Sequence, residues 1–278
     1  MRAVCGSSER RVCSVLSYPR SRLQLGRSTP KAAPCVRLDE LLVERIRRLI
    51  QRFPTFGYRK LWAMLRFRQG LKVNRKAVYR VLSVKGWFVH QRKPKARPRV
   101  KSSRSVAPYS NQRWAMDVTH IDCGRDGWGH LVAVIDCHDR SIVGYEFALR
   151  ARAREAERAL EAACIERFGT LRPTGPTPVI RSDNGLVFQS RRFREACRHY
   201  RLRQEYITPY TPEQNGMIER FFRSLKEECV WLQRFTSYTH ARRAITRWLR
   251  WYNEGRPHQS LGYLSPAEYR SQQLANVA

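Results

Sequence analysis

The chain has 278 residues, of which 42% are hydrophobic, and this suffices for one sizeable core and a smaller domain. Its formal net charge of +31 favours a polyanionic partner. The sequence contains no run of about 18 apolar residues, which argues against a membrane span. Because the basic N-terminus also lacks the apolar block of a secretory signal, we expect a soluble intracellular protein.

Basic residues are concentrated in the first part of the chain. Residues 1–110 hold 28 of the 54 lysines and arginines but only 4 of the 23 acidic residues. No acidic residue occurs between Glu44 and Asp117. Such one-sided charge is typical of nucleic-acid binding, and by itself it fits a ribosomal or histone-like binder as well as an enzyme.

The eight cysteines are scattered along the chain and form no CxxC pair. This spacing supports neither a disulfide framework nor a zinc cluster. Reduced cysteines in a core are therefore predicted.

Helical periodicity dominates residues 36–97. Apolar positions predict one helix over 38–53, a second between Gly57 and Gly70, and a third that is capped by Asn74. We predict a small all-α domain of the helix-turn-helix type, with a basic helical bundle that reads no bases as the alternative. The outer face of the third helix carries the candidate DNA-binding residues Arg75, Lys76 and Arg80.

Basic segments flank this predicted domain on both sides. Residues 1–35 form a basic N-terminal segment, for which a short helical fragment and a disordered arm are both open. Residues 98–110 are rich in proline, serine and basic residues, which predicts an extended linker that can follow phosphates.

Residues 111–235 change to a pattern of strands. Three apolar strands come first, and helices and strands then alternate in the order βββαβαβα. This order predicts an α/β domain with a ribonuclease H-like mixed sheet and flanking helices. A further helical pattern over 239–252 predicts a C-terminal helical extension covering residues 236–278.

Three acidic residues occupy positions of this layout that can converge. Asp117 lies in the first strand, Asp183 ends the fourth strand, and Glu219 lies in the helix that follows the fifth. Each has a structural alternative: a buried structural acid, an Asp-Asn-Gly turn, or a surface ion pair between Glu219 and Arg223. Together, three carboxylates supply the hard oxygen ligands that Mg²⁺ or Mn²⁺ prefers.

Four other acids lie close to the first two strands and are predicted to serve turns or to support the site. These are Asp122, Asp126, Asp136 and Asp139.

Several motifs together resemble a known family. They are FGYRKLWAML, NQRWAMDVTHI, VIRSDNG, TPYTPEQNGMIERFFRSLKEE and WYNEGRPHQSLGYLSPAEY. Residues 111–235 resemble the catalytic core of retroviral integrases and DDE transposases. Most of the chain resembles, more closely still, the OrfB half of two-frame bacterial insertion-sequence transposases. Unlike the integrases, the sequence has no readable His-His-Cys-Cys zinc cluster near its N-terminus.

The resemblance implies an enzyme that binds the ends of a mobile DNA element and cleaves and joins DNA strands with two divalent metal ions. It implies Asp117, Asp183 and Glu219 as the catalytic metal ligands and Lys226 as a basic residue beside them, and we add Arg223 as a DNA contact. A ribonuclease H-like nuclease without strand transfer and a non-catalytic DNA-binding regulator are the alternatives.

The expected partners are the terminal repeats of the element and target DNA. We also expect a homo-oligomer on DNA and an upstream-frame transposase subunit or fusion, but no membrane. The resemblance places the protein in the bacterial cytoplasm, associated with the nucleoid.

Overall fold

A computed structural model describes residues 9–19, 38–89, 107–208 and 212–275 of the chain. The predicted linker, residues 98–110, and the motif TPYTPEQNG therefore lie partly outside the described residues. The chain divides into two compact units, Met1–Glu44 and Arg45–Ala278. Within the first unit, helix α1 spans Glu9–Val15, and Asp39 accepts hydrogen bonds from the backbone N–H groups of Leu41 and Leu42.

The predicted helices before residue 90 are present. Helix α2 spans Glu40–Arg52, helix α3 spans Tyr58–Ala63 and continues into a π-helical turn over Met64–Arg68, and helix α4 spans Arg75–Lys85. Asn74 caps α4 as predicted, since its side chain accepts a hydrogen bond from the Lys76 N–H. The buried residues of α4 are Val78, Val81 and Leu82.

A five-stranded mixed sheet forms the centre of the second part of the chain. Its strands are β1 (Arg113–Asp122), β2 (Trp128–Asp136), β3 (Ile142–Ala148), β4 (Val179–Ser182) and β5 (Arg203–Tyr206). The strand order is β3-β2-β1-β4-β5, with β1, β2 and β3 antiparallel and β4 and β5 added in parallel. This is the predicted ribonuclease H-like sheet.

Helices cover both faces of the sheet. In chain order they are α5 (Ala153–Phe168), α6 (Leu186–Gln189), α7 (Arg191–His199), α8 (Gly216–Leu225), α9 (Tyr238–Glu254) and α10 (Pro266–Ala275). A π-helical turn over Lys226–Val230 continues α8. No helix of the described ranges is both long and apolar enough to cross a membrane.

Alternate residues of β1 enter different cores, because successive side chains of a strand point to opposite faces. Trp114 and Met116 join the core formed with α5 and α7, whereas Ala115 joins the core formed with α8 and α9. Gly144 on β3 lets the sheet approach α5 closely, since a Cβ there would lie 2.2 Å from the Ala159 carbonyl oxygen. The six described cysteines are buried and form no disulfide with one another, as predicted.

Candidate active site

The face of the sheet on which Asp117 lies follows from its position in β1. Asp117 is two residues beyond Ala115 and pairs with Ala133 on β2, and both alanines belong to the core formed with α8 and α9. The Asp117 side chain therefore points to the side of the sheet that α8 covers. One carboxylate oxygen accepts a hydrogen bond of 2.7 Å from the N–H of Val118.

The parallel register of β1 and β4 brings Asp183 near Asp117. Ala115 on β1 is level with Arg181 on β4. β4 ends at Ser182, so Asp183 is the first residue after the strand. Continued for two residues, the same register would bring Asp183 next to Asp117, since adjacent strands lie about 4.8 Å apart. The predicted Asp-Asn-Gly turn is also present, since the Asp183 carboxylate accepts a hydrogen bond of 3.0 Å from the Gly185 N–H.

Glu219 lies in the first turn of α8, exposed to solvent, while its helix is anchored by buried neighbours on the opposite face. Ile218, Phe222 and Leu225 are buried against the sheet, as the sequence predicts. The start of α8 is tied to β4, because the guanidinium of Arg181 donates a hydrogen bond of 3.1 Å to the Gln214 carbonyl oxygen. The same Arg181 is buried and ion-paired with Glu205 on β5.

The pKa of Asp117 reflects the charges of the other two acids and of Lys226. The pKa of Asp117 is raised to about 7, mainly by burial and also by the negative charges of Asp183 and Glu219, while the hydrogen bond from Val118 opposes this rise. The positive charge of Lys226 lowers it. Asp183, Glu219 and Lys226 therefore each lie near enough to Asp117 for their charges to shift its pKa.

The carboxylates of Asp117, Asp183 and Glu219 are suitable ligands for a hard divalent cation. Their oxygen atoms are hard donors, and a bound cation would offset their negative charge. Within the part of the chain that the structure describes, no three His, Cys, Asp or Glu side chains lie close enough together to hold a metal ion, so the three acids are not closed around a metal position. Mutual repulsion of like charges opposes such closure. We therefore expect bound cations to draw these carboxylates together.

The two basic residues that follow Glu219 differ in their contacts. The guanidinium of Arg223 is ion-paired with Glu227 at 2.7 Å on an exposed helix face. The exposed ion pair of Arg223 with Glu227 is thus one i,i+4 contact on this face of the helix. Lys226 is half-buried, and its positive charge is near enough to Asp117 to lower the pKa of that carboxyl group.

The candidate DNA-binding residues of α4 lie on its solvent face. Arg75, Lys76 and Arg80 are exposed, while Val78 on the same helix is buried. The guanidinium of Arg75 also lies over the ring of Trp62, 5.9 Å from the ring centroid, which is near the outer limit of a cation–π contact. An exposed basic face on a capped helix is suited to contact with DNA phosphates or base edges.

The other acids near β1 and β2 have structural contacts. Asp139 is fully buried and accepts two hydrogen bonds of 2.9 Å from the Arg167 guanidinium, while Asp136 accepts one of 2.7 Å from the Asn111 N–H. Asp122 accepts a hydrogen bond from Gly124 within the β1–β2 turn, and Asp126 accepts one from Tyr238 at the start of α9. These contacts fit turn and supporting roles.

One buried ion cluster was not predicted from the sequence. Glu228 accepts hydrogen bonds from Lys60 at 2.8 Å and from Arg256 at 2.7 and 2.8 Å. These partners lie 168 and 28 residues away in the chain, so periodicity could not reveal them. The only local signal is the unusual position of Glu228 beside the buried Cys229.

Comparison with known proteins agrees with this architecture. Residues 107–212 and 200–266 match two models of the integrase core domain, and residues 37–95 match an HTH-like domain. Over 245 residues the chain is 29% identical to the transposase InsD of insertion element IS2A/D/F/H/I/K from Escherichia coli, covering 86% of this chain and 81% of that one. The chain is an insertion-sequence transposase with an integrase-like core.

The transposase is similarly 29% identical to InsD of insertion element IS2-9 from Escherichia coli strain K12, over 86% of its own length and 79% of that chain. A solved catalytic core domain of BIV integrase aligns with a TM-score of 0.44 and 19% identity, over 60% of this chain and 99% of that one. The HTLV-2 integrase catalytic core domain in complex with magnesium aligns with a TM-score of 0.41 and 19% identity, over 60% and 99%. These TM-scores are too low to add to the assignment, which rests on the sequence matches.

The transposase therefore has an integrase core, a metal-dependent catalytic domain, together with an HTH-like DNA-binding domain. It catalyses cleavage and strand transfer of DNA.

Proposed function

We propose that Asp117, Asp183 and Glu219 are the metal ligands of the transposase, and that they hold two Mg²⁺ or Mn²⁺ ions where DNA strands are cut and joined. The observation that supports this assignment best is the position of Asp117 on β1 and of Asp183 directly after its parallel neighbour β4, with the charges of Asp183 and Glu219 both acting on Asp117. Ions bound there would activate the attacking oxygen and stabilise the leaving oxygen of a phosphodiester.

The chain's own residues position the DNA for this exchange. In each step one phosphorus–oxygen bond forms as another breaks, with water attacking during cleavage and a DNA 3′-hydroxyl attacking during joining. No serine, tyrosine or cysteine needs to bond covalently to DNA. Lys226, beside Asp117, is suited to hold a phosphate of the scissile strand, and Arg223 is a further contact at the outer edge of the same helix.

We assign recognition of the element's terminal repeats to the helical region 36–97, through Arg75, Lys76 and Arg80 on the exposed face of α4. Residues 1–35 and the linker 98–110 would contact phosphates, target DNA would enter the core 111–235, and residues 236–278 would support that core. These boundaries are proposals from the charge pattern and the predicted elements.

Two copies of the chain are the minimum for an element with two ends, because each chain carries one set of three acids. We therefore propose a homo-oligomer on DNA in the bacterial cytoplasm and nucleoid. The resemblance to two-frame elements supports a partnership with an upstream-frame subunit or fusion.

The test is cleavage and joining of terminal-repeat DNA by Asp117→Asn, Asp183→Asn and Glu219→Gln. Each variant keeps the side-chain shape but loses a carboxylate, so each should lose at least about a hundredfold in both rates while still binding DNA. Asp122→Asn, in the turn at the end of the same strand, is the matched control and should retain activity.

Near-normal rates in any one of the three variants would remove that residue from the site. Cleavage without joining in the wild type would favour the nuclease alternative, and DNA binding without metal-dependent cleavage would favour the regulator.

A further inference from the structure

The buried cluster around Glu228 joins three segments of the transposase. Lys60 belongs to α3 in the HTH-like region, Glu228 belongs to the π-helical turn that continues α8, and Arg256 follows the end of α9. The side chains of Glu228 and Arg256 are 6% and 7% exposed, whereas that of Lys60 is 33% exposed. One carboxylate therefore holds the HTH-like region, the helix of Glu219 and the C-terminal extension together.

The geometry of the cluster is specific. Arg256 donates through Nε to one Glu228 oxygen and through Nη2 to the other, which is the two-pronged arrangement that orients a carboxylate in its plane. Lys60 Nζ then donates to Oε1, 2.8 Å away, and lies over the ring of Phe56. The Glu228–Arg256 pair fixes the carboxylate, and the Lys60 contact fixes α3 against it.

Glu228 follows Glu219 by nine residues and Lys226 by two along one continuous helical segment. The π-helical turn over Lys226–Val230 changes the helical phase at this point, a feature that occurs often at functional sites. It allows Lys226 to act on Asp117 while Glu228 reaches Lys60 and Arg256. A shift of Glu228 is thus a shift of the helix that carries Glu219.

We propose that Lys60 is a positioning residue, through which the HTH-like region sets the placement of Glu219 and Lys226 by way of Glu228. This inference rests on the proposed roles of Glu219 and Lys226. On this proposal, the binding of the element end by the HTH-like region is coupled to the placement of Glu219 through the contact between Lys60 and Glu228.

Lys60→Met is the informative variant, because it removes the link to α3 and leaves the Glu228–Arg256 pair intact. Glu228→Ala would instead leave the buried Arg256 and the partly exposed Lys60 without their shared counter-charge and endanger folding. In the full chain we expect binding of terminal-repeat DNA to change by less than about twofold, whereas single-turnover cleavage on pre-bound DNA falls about tenfold. The Mg²⁺ or Mn²⁺ concentration for half-maximal cleavage should rise, and Lys60→Arg should restore part of the rate.

Two control variants separate positioning from general effects. Lys72→Met removes an exposed lysine from the same region, and Arg68→Met removes a different contact between this region and the C-terminal extension, the ion pair of Arg68 with Glu268. Both should cleave pre-bound DNA at near wild-type rates with an unchanged metal requirement.

Wild-type cleavage and metal requirement in Lys60→Met would overturn the proposal, as would an equal loss in Arg68→Met, which would indicate general docking. Glu219→Gln, measured alongside, distinguishes the two levels of inference. If Glu219→Gln is inactive while Lys60→Met is normal, only the positioning role is wrong. If Glu219→Gln is active, the proposed metal site is wrong as well.

Discussion

Asp117 lies on β1, and Asp183 directly follows β4, the strand that pairs with β1 in parallel. Two carboxylates so placed, with Glu219 acting on the same site, repel each other unless a cation lies between them. The site is therefore a source of instability in the metal-free protein, as is common where function requires like charges.

From this repulsion we expect Asp117→Asn to raise the free energy of unfolding of the metal-free transposase by about 1 kcal/mol. Mg²⁺ or Mn²⁺ should raise the melting temperature of the wild type, since a ligand that binds only the folded state stabilises it, but not that of the variant. Thermal denaturation with EDTA and with added metal measures both effects. An unchanged metal response in Asp117→Asn would contradict the assignment, and Asp122→Asn serves as the control.

Lys226 and Arg223 should differ in their effects on catalysis. Lys226→Ala should lower single-turnover cleavage of pre-bound terminal DNA about tenfold, because the lysine acts beside Asp117. Arg223→Ala should change the rate less than about threefold, since that arginine is engaged in an exposed ion pair with Glu227. Equal losses of rate in the two variants would show that Arg223 does not stay in its ion pair with Glu227 when DNA is bound.

The exposed face of α4 should contribute salt-sensitive DNA binding. In a catalytically inactive Glu219→Gln background, replacing Arg75, Lys76 and Arg80 with glutamine should reduce the salt dependence of affinity by about three counterions. Binding titrations at several salt concentrations, on terminal-repeat and unrelated DNA, measure this. A loss confined to terminal-repeat DNA indicates base readout, an equal loss on both indicates phosphate contact, and no loss would exclude the α4 face.

His258 should make the transposase sensitive to acid. Burial lowers the pKa of His258 from 6.5 to about 2, helped by the charges of Arg256 and Arg140. Below about pH 6.5 His258 is therefore protonated in the unfolded chain but neutral in the folded chain. The free energy of unfolding consequently falls as the pH falls from about 6.5 toward 2. Between pH 7.5 and 5 this linkage amounts to about 2 kcal/mol.

Denaturant unfolding of wild type and His258→Gln across that pH range tests the linkage. The variant should show a shallower loss of stability on acidification, whereas His240→Gln, at an exposed position, should follow the wild type. Parallel curves for wild type and His258→Gln would show that His258 is not the group responsible.

Much of this architecture could be predicted because it depends on patterns of neighbouring residues in the sequence. The alternation of apolar residues gave β1, β2 and β3, and the Asn74 cap gave the start of α4. The three acids could be proposed because a carboxylate on the first strand, one at the end of the fourth and one on the last core helix can converge in this layout, and because the motifs resemble those of a known family. The short helix α6 and the π-helical turns were not predicted, since their sequences differ little from those of ordinary turns and α-helix.

Helix α10 was missed although a signal for it exists. Ser265 and Glu268 form a reciprocal capping box, with the Ser265 N–H donating to Glu268 at 2.8 Å and the Glu268 N–H donating to Ser265 at 3.3 Å. Pro266 occupies the first helical position, where a missing N–H costs nothing. The Glu228 cluster carried no such signal, because its members meet only after the chain has folded.

The absence of acidic residues between Glu44 and Asp117 has a consequence for how transposases of this kind can change. Every carboxylate that neutralises a cation of residues 45–116 must come from elsewhere, as Glu228 does for Lys60 and Glu268 does for Arg68. The HTH-like region is therefore not an interchangeable cassette. A chimera that takes this region from a related transposase must keep lysine and arginine at these two positions, or replace Glu228 and Glu268 together with them.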